Sequence, residues 1–366
     1  MDLRNLPSAS NSELLVDLKY IIKEHALPFL PAKSLFRFLA VCRDWMLHIL
    51  TPSFQHNQSL CCRGISGLFC QTSENRIVFV PIHPESCGVP DPSLSFLPEP
   101  VVIKASSNGL LCCQGRNGNG NYYLCNPATQ QWKKLPKPSA SHGSETELVL
   151  IFEPSLLNPA PEYKLICAFE YDSYVHATQF EIYSSRNNSW DFAGEIGFGV
   201  KKADLGSGVH VNGVVYWPVE TDYMLSFDLT KDKPQLLYTF THGTDYILGT
   251  FDGRLCKVFI QLPFYGGFYG VVVNVLVNIQ TNTDGTDIVT WKSLLGLHPD
   301  GTVIPLLDIV TTVVAVSRDI VVVKNMNEFY SFDFEHQETK TLLSPPQPVG
   351  SYYVRWVPYV NSLVWF

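Results

Sequence analysis

Cysteine, histidine and glycine are the residues of this sequence that could supply metal, nucleophilic or phosphate chemistry, and their spacing favours none of these. The ten cysteines include two adjacent pairs but no Cys-x-x-Cys, and the ten histidines show no zinc-ligand spacing. Neither His-Glu-x-x-His nor Gly-x-Ser-x-Gly occurs. The glycine-rich run Gly115–Gly120 follows no strand–helix unit, so a phosphate cradle is not expected there. We therefore predict no catalytic residue, no metal and no cofactor.

The cysteine pairs Cys61-Cys62 and Cys112-Cys113 argue against a disulfide framework, because adjacent residues of a strand point to opposite faces. We expect reduced, mostly buried thiols in an intracellular protein, cytoplasmic or nuclear or both. The start, Met1–Asn5, lacks the layout of a signal peptide, and apolar runs such as Val271–Val277 are too short to span a membrane. A net charge of −8 without any basic block argues against nucleic-acid and membrane partners.

The N-terminal part of the chain has a helical pattern. Residues 1–12 are polar and turn-rich and predict a flexible tail, and residues 13–56 predict about three helices. Pro28 closes the first helix, Pro31 suits the first turn of the second, and Thr51-Pro52 stops the third. The apolar stripe of this module must be covered by another helix, by the downstream domain or by a different protein.

From about residue 60 the chain consists of short β-branched and aromatic runs separated by Gly, Pro, Asn and Asp, which predicts an all-β region over residues 60–366. A Gly-led apolar strand, a strand with a polar turn and a returning aromatic residue recur loosely at spacings of about 45–60 residues, near the range of propeller blades. We predict a β-propeller of about six blades, closed by a strand near Tyr352–Val357. Two packed β-sandwiches are the alternative. The predicted fold class is α+β multidomain, with a small three-helix module before a large all-β domain.

The helical module carries the motifs Leu30-Pro31-x-Lys33-Ser34-Leu35-x-Arg37-Phe38, Val41-Cys42-Arg43-Asp44-Trp45, Ile49 and Pro52-x-Phe54. By these motifs it resembles the F-box, by which substrate receptors dock onto the Skp-type adaptor of a cullin ubiquitin ligase. At the upstream end Leu18-Lys19 stands where the family has Leu-Pro.

The β region carries a second series of motifs: Ser107-Asn108-Gly109-Leu110-Leu111, Cys125-Asn126-Pro127 with Trp132 and Leu135-Pro136, Val211-Asn212-Gly213 with Tyr216-Trp217, and Phe227-Asp228. By these motifs it resembles the F-box-associated, kelch-like β domain of the large plant F-box family. The two resemblances together cover residues 13–366.

These resemblances imply a substrate-recognition subunit of an SCF-type ubiquitin ligase, with the adaptor, through it a cullin, and an unknown target protein as partners. The chain would be non-catalytic and would act by bringing target and ubiquitin donor together. The predicted adaptor-binding residues are Ile22, Leu27, Leu30, Pro31, Ser34, Leu35, Val41, Cys42, Trp45 and Ile49. The predicted target-binding residues are Tyr265, Phe268 and Tyr269 of an aromatic-glycine loop.

Structural roles compete with these assignments. Phe38 and Leu39 could pack inside the module or on the propeller, and Trp45 could pack there or contact the adaptor. A strand kink would also explain the aromatic-glycine loop. Four tryptophans of the β region are expected in blade cores rather than at a ligand: Trp132, Trp190, Trp217 and Trp291. Two rival functions remain, an adaptor-bound regulator without ubiquitin transfer and a propeller enzyme whose residues are distant in sequence.

Overall fold

The architecture comes from a computed structural model, which describes residue 18 and residues 20–62, 64–74, 76–82, 88–117, 120–143, 146–152, 162–170, 176–199, 206–219, 222–239, 246–261, 270–283, 285–296, 312–317, 320–325, 328–333, 338–342 and 353–364. The predicted target-binding residues Tyr265, Phe268 and Tyr269 lie outside the described residues.

The N-terminal module is built from short helices. A π-helical turn over Ile22–Ala26 and a 3₁₀ turn over Leu27–Phe29 precede α1 (Ala32–Phe38), α2 (Arg43–Ile49) and α3 (Pro52–Cys61). Thr51-Pro52 was predicted to stop the third helix, and the third helical segment, α2, does end just before it, at Ile49. The same pair also begins a further helix, α3, which was not predicted. The Thr51 hydroxyl accepts the N–H of Phe54 at 3.2 Å, and Pro52 occupies the first helical turn, where its missing N–H costs nothing. Cys61-Cys62 therefore lies at a helix end and not on a strand.

The rest of the described chain is all-β, as predicted, and its strands form antiparallel meanders. Sheet A joins strands from the two ends of the β region: β1 (Gly67–Thr72), β2 (Ile77–Pro81) and β24 (Tyr353–Tyr359). Sheet B contains β3 (Val101–Ser107), β4 (Leu110–Gly115), β5 (Tyr122–Asn126) and β6 (Gln131–Lys134). Sheet C contains β7 (Glu147–Phe152), β8 (Tyr163–Glu170), β9 (Ala177–Ser184), β10 (Ser189–Phe192) and β11 (Gly197–Phe198).

Two further sheets complete the domain. Sheet D consists of two four-stranded meanders: β12 (Val209–Val211), β13 (Val214–Pro218), β14 (Tyr223–Asp228) and β15 (Lys233–Tyr238), then β16 (Tyr246–Phe251), β17 (Arg254–Gln261), β18 (Gly270–Thr281) and β19 (Asp287–Gly296). A two-residue parallel pairing of β15 with β19 joins the two halves. Sheet E contains β20 (Thr312–Ser317), β21 (Ile320–Asn325), β22 (Glu328–Asp333) and β23 (Glu338–Leu342).

The sheets are arranged as a closed ring. One strand of each meander contacts its counterpart in the next: β24 with β3, then β7, β12, β16 and β20, and β20 again with β24. β24 pairs antiparallel with β1, which confirms the predicted closing strand. Closure of this kind covers the sheet edges that an open arrangement would expose.

Hydrophobic cores lie between neighbouring sheets, so most strands are covered on both faces. Cys112 packs in the core between sheets B and C, whereas Cys113 packs in the core between sheets A and B. This confirms that the pair points to opposite faces. Six of the nine described cysteines are buried, and none of the nine forms a disulfide. The cysteines therefore act here as small apolar core residues.

Three of the four tryptophans predicted for the cores lie there. Trp217 is fully buried, Trp190 is 7% exposed, and Trp291 is half-buried against the core of sheet D. Trp132 is 44% exposed, so its assignment to a core is wrong. The reason is its position on β6, an edge strand whose four residues are all exposed.

Hairpin turns follow the sequence closely. The pairs Asn108-Gly109, Asn212-Gly213 and Asp252-Gly253 have positive φ at both residues, as a tight type I′ hairpin turn requires. The turns fix the register of β3–β4, β12–β13 and β16–β17.

The inner wall of the ring is tightest at Gly249 on β16. A Cβ at this position would lie 2.0 Å from Val316 Cγ1 and 2.9 Å from the Val316 carbonyl oxygen. The Gly249→Ala substitution should therefore lower the free energy of unfolding by about 1–3 kcal/mol through overpacking. Urea denaturation measures this change, with Gly64→Ala as the control, because nothing lies within 4 Å of a Cβ there. Equal stability of the two variants would contradict the close approach of β16 and β20.

Candidate functional site

The helical module has a small core of its own that extends onto the ring. Its buried side chains come from the 3₁₀ turn and from all three helices, and the ring adds Ala128 and Leu363 to the same cluster. The cluster consists of Leu27, Ala32, Leu35, Ile49, Phe54, Ala128 and Leu363. The module is therefore packed against the β domain and does not hang from it.

The predicted adaptor-binding residues divide by exposure. Leu27, Leu35 and Ile49 are 0–1% exposed, so their side chains hold the module together and do not offer a contact surface. A larger group is half-buried: Ile22, Leu30, Pro31, Ser34 and Trp45. Val41 and Cys42 are exposed. Helical spacing does not distinguish the buried residues from the exposed ones, because an apolar stripe that faces a core and one that faces a partner protein have the same period.

Local contacts explain why Trp45 is half-buried. Phe38 and Trp45 meet edge to face with ring centroids 5.1 Å apart, and both pack against the module core, as does Leu39. The Cys42 sulfur caps α2 by accepting the N–H of Trp45 at 3.5 Å. Lys23 forms a 2.5 Å ion pair with Asp44, which joins the π-helical turn to α2. Trp45 thus packs partly against the interior of the module.

Large exposed apolar side chains are concentrated on the module. The module contains fewer than a fifth of the described residues, yet it carries seven of the thirteen large apolar side chains that are exposed in the described part of the chain. We call these seven the exposed apolar set: Leu18, Tyr20, Ile21, Phe29, Val41, Leu47 and Leu50. They are 51–65% exposed. Only Val41 was among the predicted adaptor-binding residues, and the i, i+3 spacing of Leu47 and Leu50 was the available signal for two others.

A concentration of this kind is typical of a protein–protein interface. The core of the module is formed by its own buried side chains together with Ala128 and Leu363 of the ring, and the exposed apolar set is not part of it. Covering several large apolar side chains contributes about 1.5–3 kcal/mol each when burial is complete.

Gln58 links the module to the C-terminal segment of the described chain. Its side chain is fully buried, its Oε1 accepts the N–H of Leu363 at 2.9 Å, and its Nε2 donates to the carbonyl of Leu30 at 3.4 Å. One glutamine therefore connects the second turn of the module with the segment that follows β24.

Asn126 holds the same segment from the side of sheet B. Its Nδ2 donates to the carbonyls of Ser362 and Val364 at 3.0 and 2.9 Å, and its Oδ1 accepts the N–H of Ala128 at 2.9 Å and the hydroxyl of Tyr359 at 3.3 Å. The side chain is completely buried and fully hydrogen-bonded. In the sequence, Asn126 appeared only as part of the motif Cys125-Asn126-Pro127, and nothing there indicated these hydrogen bonds.

The Asn126→Ala substitution should lower the free energy of unfolding by about 2–4 kcal/mol, because it leaves buried carbonyl and N–H groups without partners. Urea denaturation of the full chain measures the loss. Asn282→Ala is the matched control at an exposed position and should change stability little. An Asn126 variant as stable as the control would show that the segment is held by other contacts.

A buried polar chain runs between sheets B and C. Glu181 accepts the N–H groups of Ser139 and Ala140 at 2.7 and 3.3 Å, and its carboxylate lies 2.7 Å from His142 Nε2. With Nε2–H donating to Glu181, His142 Nδ1 accepts the hydroxyl of Tyr122 at 3.1 Å. Burial acts to raise the pKa of Glu181, but the hydrogen bonds from His142 and the two backbone N–H groups outweigh it and lower the pKa.

Glu181, His142 and Tyr122 are 0%, 4% and 1% exposed, so a substrate cannot reach them and their arrangement is structural. They fasten the segment that follows β6 onto sheet C. Trp190 adds to this attachment by donating from Nε1 to the carbonyl of Pro136 at 2.9 Å.

The Glu181→Gln substitution should lower the free energy of unfolding at neutral pH by about 2–3 kcal/mol, since charge-assisted buried hydrogen bonds are lost. The pKa of Glu181 is lower in the folded than in the unfolded state, so ionised Glu181 stabilises the fold at any pH above the pKa of an unfolded glutamate. This stabilisation disappears as the pH falls through the pKa of Glu181 in the folded state. The difference between wild type and variant should therefore shrink in acid.

Glu162→Gln is the matched control, because Glu162 pairs with Arg186 on the surface and exposed ion pairs contribute at most about 1 kcal/mol. Urea denaturation at several pH values compares the two. A destabilisation by Glu181→Gln that did not change with pH would contradict the role of the charge.

The ring encloses a central cavity of about 460 Å³, lined by residues of β3, β7, β12, β16, β20 and β24. Charges of both signs meet there, and Arg355 forms a 3.2 Å ion pair with Glu147. In the described part of the chain, no group of three or more His, Cys, Asp or Glu side chains is placed to hold a metal ion. The helices that the structure describes are all too short to cross a membrane.

A closed ring of antiparallel sheets with a helical module packed on it defines the class of β-propeller proteins with an appended helical domain. Residues 97–364 match the family model described as the F-box associated beta propeller domain. The chain therefore belongs to the plant F-box proteins that carry this domain.

Relatives from Arabidopsis thaliana agree with this assignment. F-box protein At5g49610 is 38% identical over 117 residues, which cover 30% of each chain. F-box protein At5g07610 is 28% identical over 257 residues, 63% of this chain and 58% of that protein. F-box only protein 6 is 26% identical over 227 residues, 57% of this chain and 44% of that protein. The chain thus spans less than two thirds of the length of each of these relatives.

Proposed function

We propose that this protein is the substrate-recognition subunit of an SCF-type cullin ubiquitin ligase. The helical module docks on a Skp-type adaptor, which connects it to a cullin, and the β domain holds a target protein for ubiquitination. The observation that carries the proposal is the exposed apolar set on a module that is itself firmly packed on the ring.

Rigid attachment is what such a role requires. The chain makes and breaks no bond in this proposal, and its contribution is to hold the target within reach of the ubiquitin donor. A flexible tether would spread the target over many positions, whereas the buried contacts of Gln58 and Leu363 fix the module against the ring. The cytoplasm and the nucleus both provide such ligases, and we propose either or both as its location.

The β domain in this proposal is a six-bladed propeller. The support is the cycle of six neighbouring inner strands and the two four-stranded halves of sheet D, which then count as two blades. The parallel pairing of β15 with β19, which joins these two halves, is limited to Leu237 with Asp287 and Tyr238 with Ile288.

The Val41→Glu substitution tests the adaptor surface. Val41 is 59% exposed, so a glutamate leaves the module folded, but it places a charge in the proposed apolar contact. Adaptor affinity should fall at least about tenfold, which corresponds to about 1.4 kcal/mol. Titration of the purified chain with the Skp-type adaptor by calorimetry measures the change.

Val277→Glu is the matched control, since Val277 is 57% exposed on β18 of the ring. It should leave adaptor affinity unchanged. Adaptor binding that survived Val41→Glu together with a charge at Leu47 would overturn the proposed interface. Adaptor binding without assembly of the cullin would instead favour the regulator that transfers no ubiquitin.

A further inference from the structure

Sheet A has one strand fewer than the other meanders of the ring. In the described part of the chain it contains only β24, β1 and β2, from the inside outward, whereas each of the other five meanders has at least four strands. The third strand elsewhere pairs with a fourth, as β5 does with β6 and β22 with β23. β2 holds this third position in sheet A, so its outer edge has no neighbouring strand among the described residues.

The pairing of β2 with β1 determines which backbone groups of β2 point outward. The N–H of Thr72 donates to the carbonyl of Arg76 at 3.0 Å, so Arg76 and every second residue after it face β1. The residues between them are Ile77, Phe79 and Pro81, and their backbone groups point to the outer edge. Because proline has no N–H, this edge offers two N–H donors and three carbonyl acceptors.

β2 lacks the charged side chains that usually protect an edge strand from pairing with another chain. Its sequence is Ile-Val-Phe-Val-Pro, and Pro81 protects only the end of the edge. The outer strands of the two neighbouring sheets are different, since exposed lysines occupy β6 (Lys133 and Lys134) and β23 (Lys340). An apolar edge with unpaired backbone groups fits the addition of a strand from another protein.

The side chains beside this edge indicate the chemistry of such a strand. Phe79 borders the core between sheets A and B, Val78 borders the core between sheets A and E, and both are half-buried. A strand added here would therefore extend two apolar cores and bury apolar side chains on both of its faces. Arg76 is exposed at the start of β2, so an antiparallel segment would meet it with a carboxylate near the C-terminal end of that segment.

We propose that the outer edge of β2 binds an extended apolar segment of the target protein, which becomes the antiparallel fourth strand of sheet A. The proposal rests on the proposed function and names how its target is recognised. Main-chain hydrogen bonds to Ile77, Phe79 and Pro81 supply affinity, and the flanking side chains supply specificity. A second copy of this chain fits less well, because a two-fold pairing around Phe79 places Pro81 opposite Ile77 and loses a donor in each copy.

Amide hydrogen exchange at residue resolution tests the open edge on the full chain in complex with the adaptor. The N–H of Val80 donates to β1, whereas that of Phe79 points outward. The Phe79 N–H should therefore exchange at least about tenfold faster than the Val80 N–H. Equal protection of the two would mean that another segment of this chain or a second copy already covers the edge, and it would overturn the proposal.

Fluorescence anisotropy of the full chain with labelled ten-residue peptides tests the addition of a strand. The parent peptide alternates valine and threonine and has one glutamate near its C-terminal end. Two further probes carry N-methyl groups on all valines or on all threonines, and a fourth has lysine in place of the glutamate. The parent should bind with a dissociation constant below about 1 mM.

The two methylated probes should differ, because consecutive N–H groups of a strand point to opposite edges. One should bind within about twofold of the parent, and the other at least about tenfold more weakly. No binding of the parent, or equal affinity of the two methylated probes, would overturn the proposal. The lysine probe should bind more weakly than the parent, and equal affinity would contradict the contact with Arg76.

The variants Phe79→Pro and Phe79→Ala form a matched pair, since both remove the ring but only proline removes the outward N–H. Proline is tolerated at an edge position whose N–H does not join the ladder, so urea denaturation should give similar midpoints for the two variants. The parent peptide should bind Phe79→Pro at least about tenfold more weakly than Phe79→Ala. Equal affinity would overturn the proposal, and so would a much lower midpoint for Phe79→Pro alone, because the N–H would then belong to the ladder.

Adaptor affinity of the same two variants separates this inference from the proposed function. Phe79 lies outside the helical module, so both variants should bind the adaptor as tightly as the wild type. Loss of peptide binding with adaptor binding intact supports the edge site. Peptide binding by a chain that does not bind the adaptor would leave the edge site in place and overturn the proposed function.

Discussion

The arrangement of this protein depends on how the segment after β24 is held. Residues 361–364 are buried between the helical module and sheet B, and their backbone groups are bound by Gln58 on one side and Asn126 on the other. The same segment follows the strand that closes the ring against β1. The closing strand of the ring and the attachment of the module therefore share one segment. We expect the loss of Gln58 or of Asn126 to weaken both.

This constraint explains which apolar residues of the module remain available to a partner. The side that carries Leu27, Leu35 and Ile49 is covered by Ala128 and Leu363, so the exposed apolar set lies elsewhere on the module. The module thus presents an apolar surface while it is held firmly on the ring.

Local patterns were sufficient to predict much of the fold. β-branched runs located strands such as β21, and the final aromatic run located β24. At Thr51-Pro52 the end of α2 was predicted but the start of α3 was not, because the same pair can end one helix and begin the next. Trp132 was misassigned because an aromatic residue favours a strand in general, and whether that strand lies at a sheet edge is decided by its pairing partners.

The sites were harder to predict, because they are made by residues that are far apart in sequence. Asn126 donates hydrogen bonds to carbonyls more than 230 positions away. The cavity between sheets A and B is likewise lined by residues of β3, of β24 and of the segments that follow β4 and β6. Helical periodicity identified the apolar residues of the module but could not tell the covered side from the open one.

Hydrogen–deuterium exchange of the full chain with and without the Skp-type adaptor measures which surface the adaptor covers. We expect the adaptor to slow exchange in peptides covering residues 20–31 and 41–50 and to leave residues 102–116 and 137–143 unchanged. Unchanged exchange in the module, or protection centred on the ring, would show that the module is not the adaptor surface.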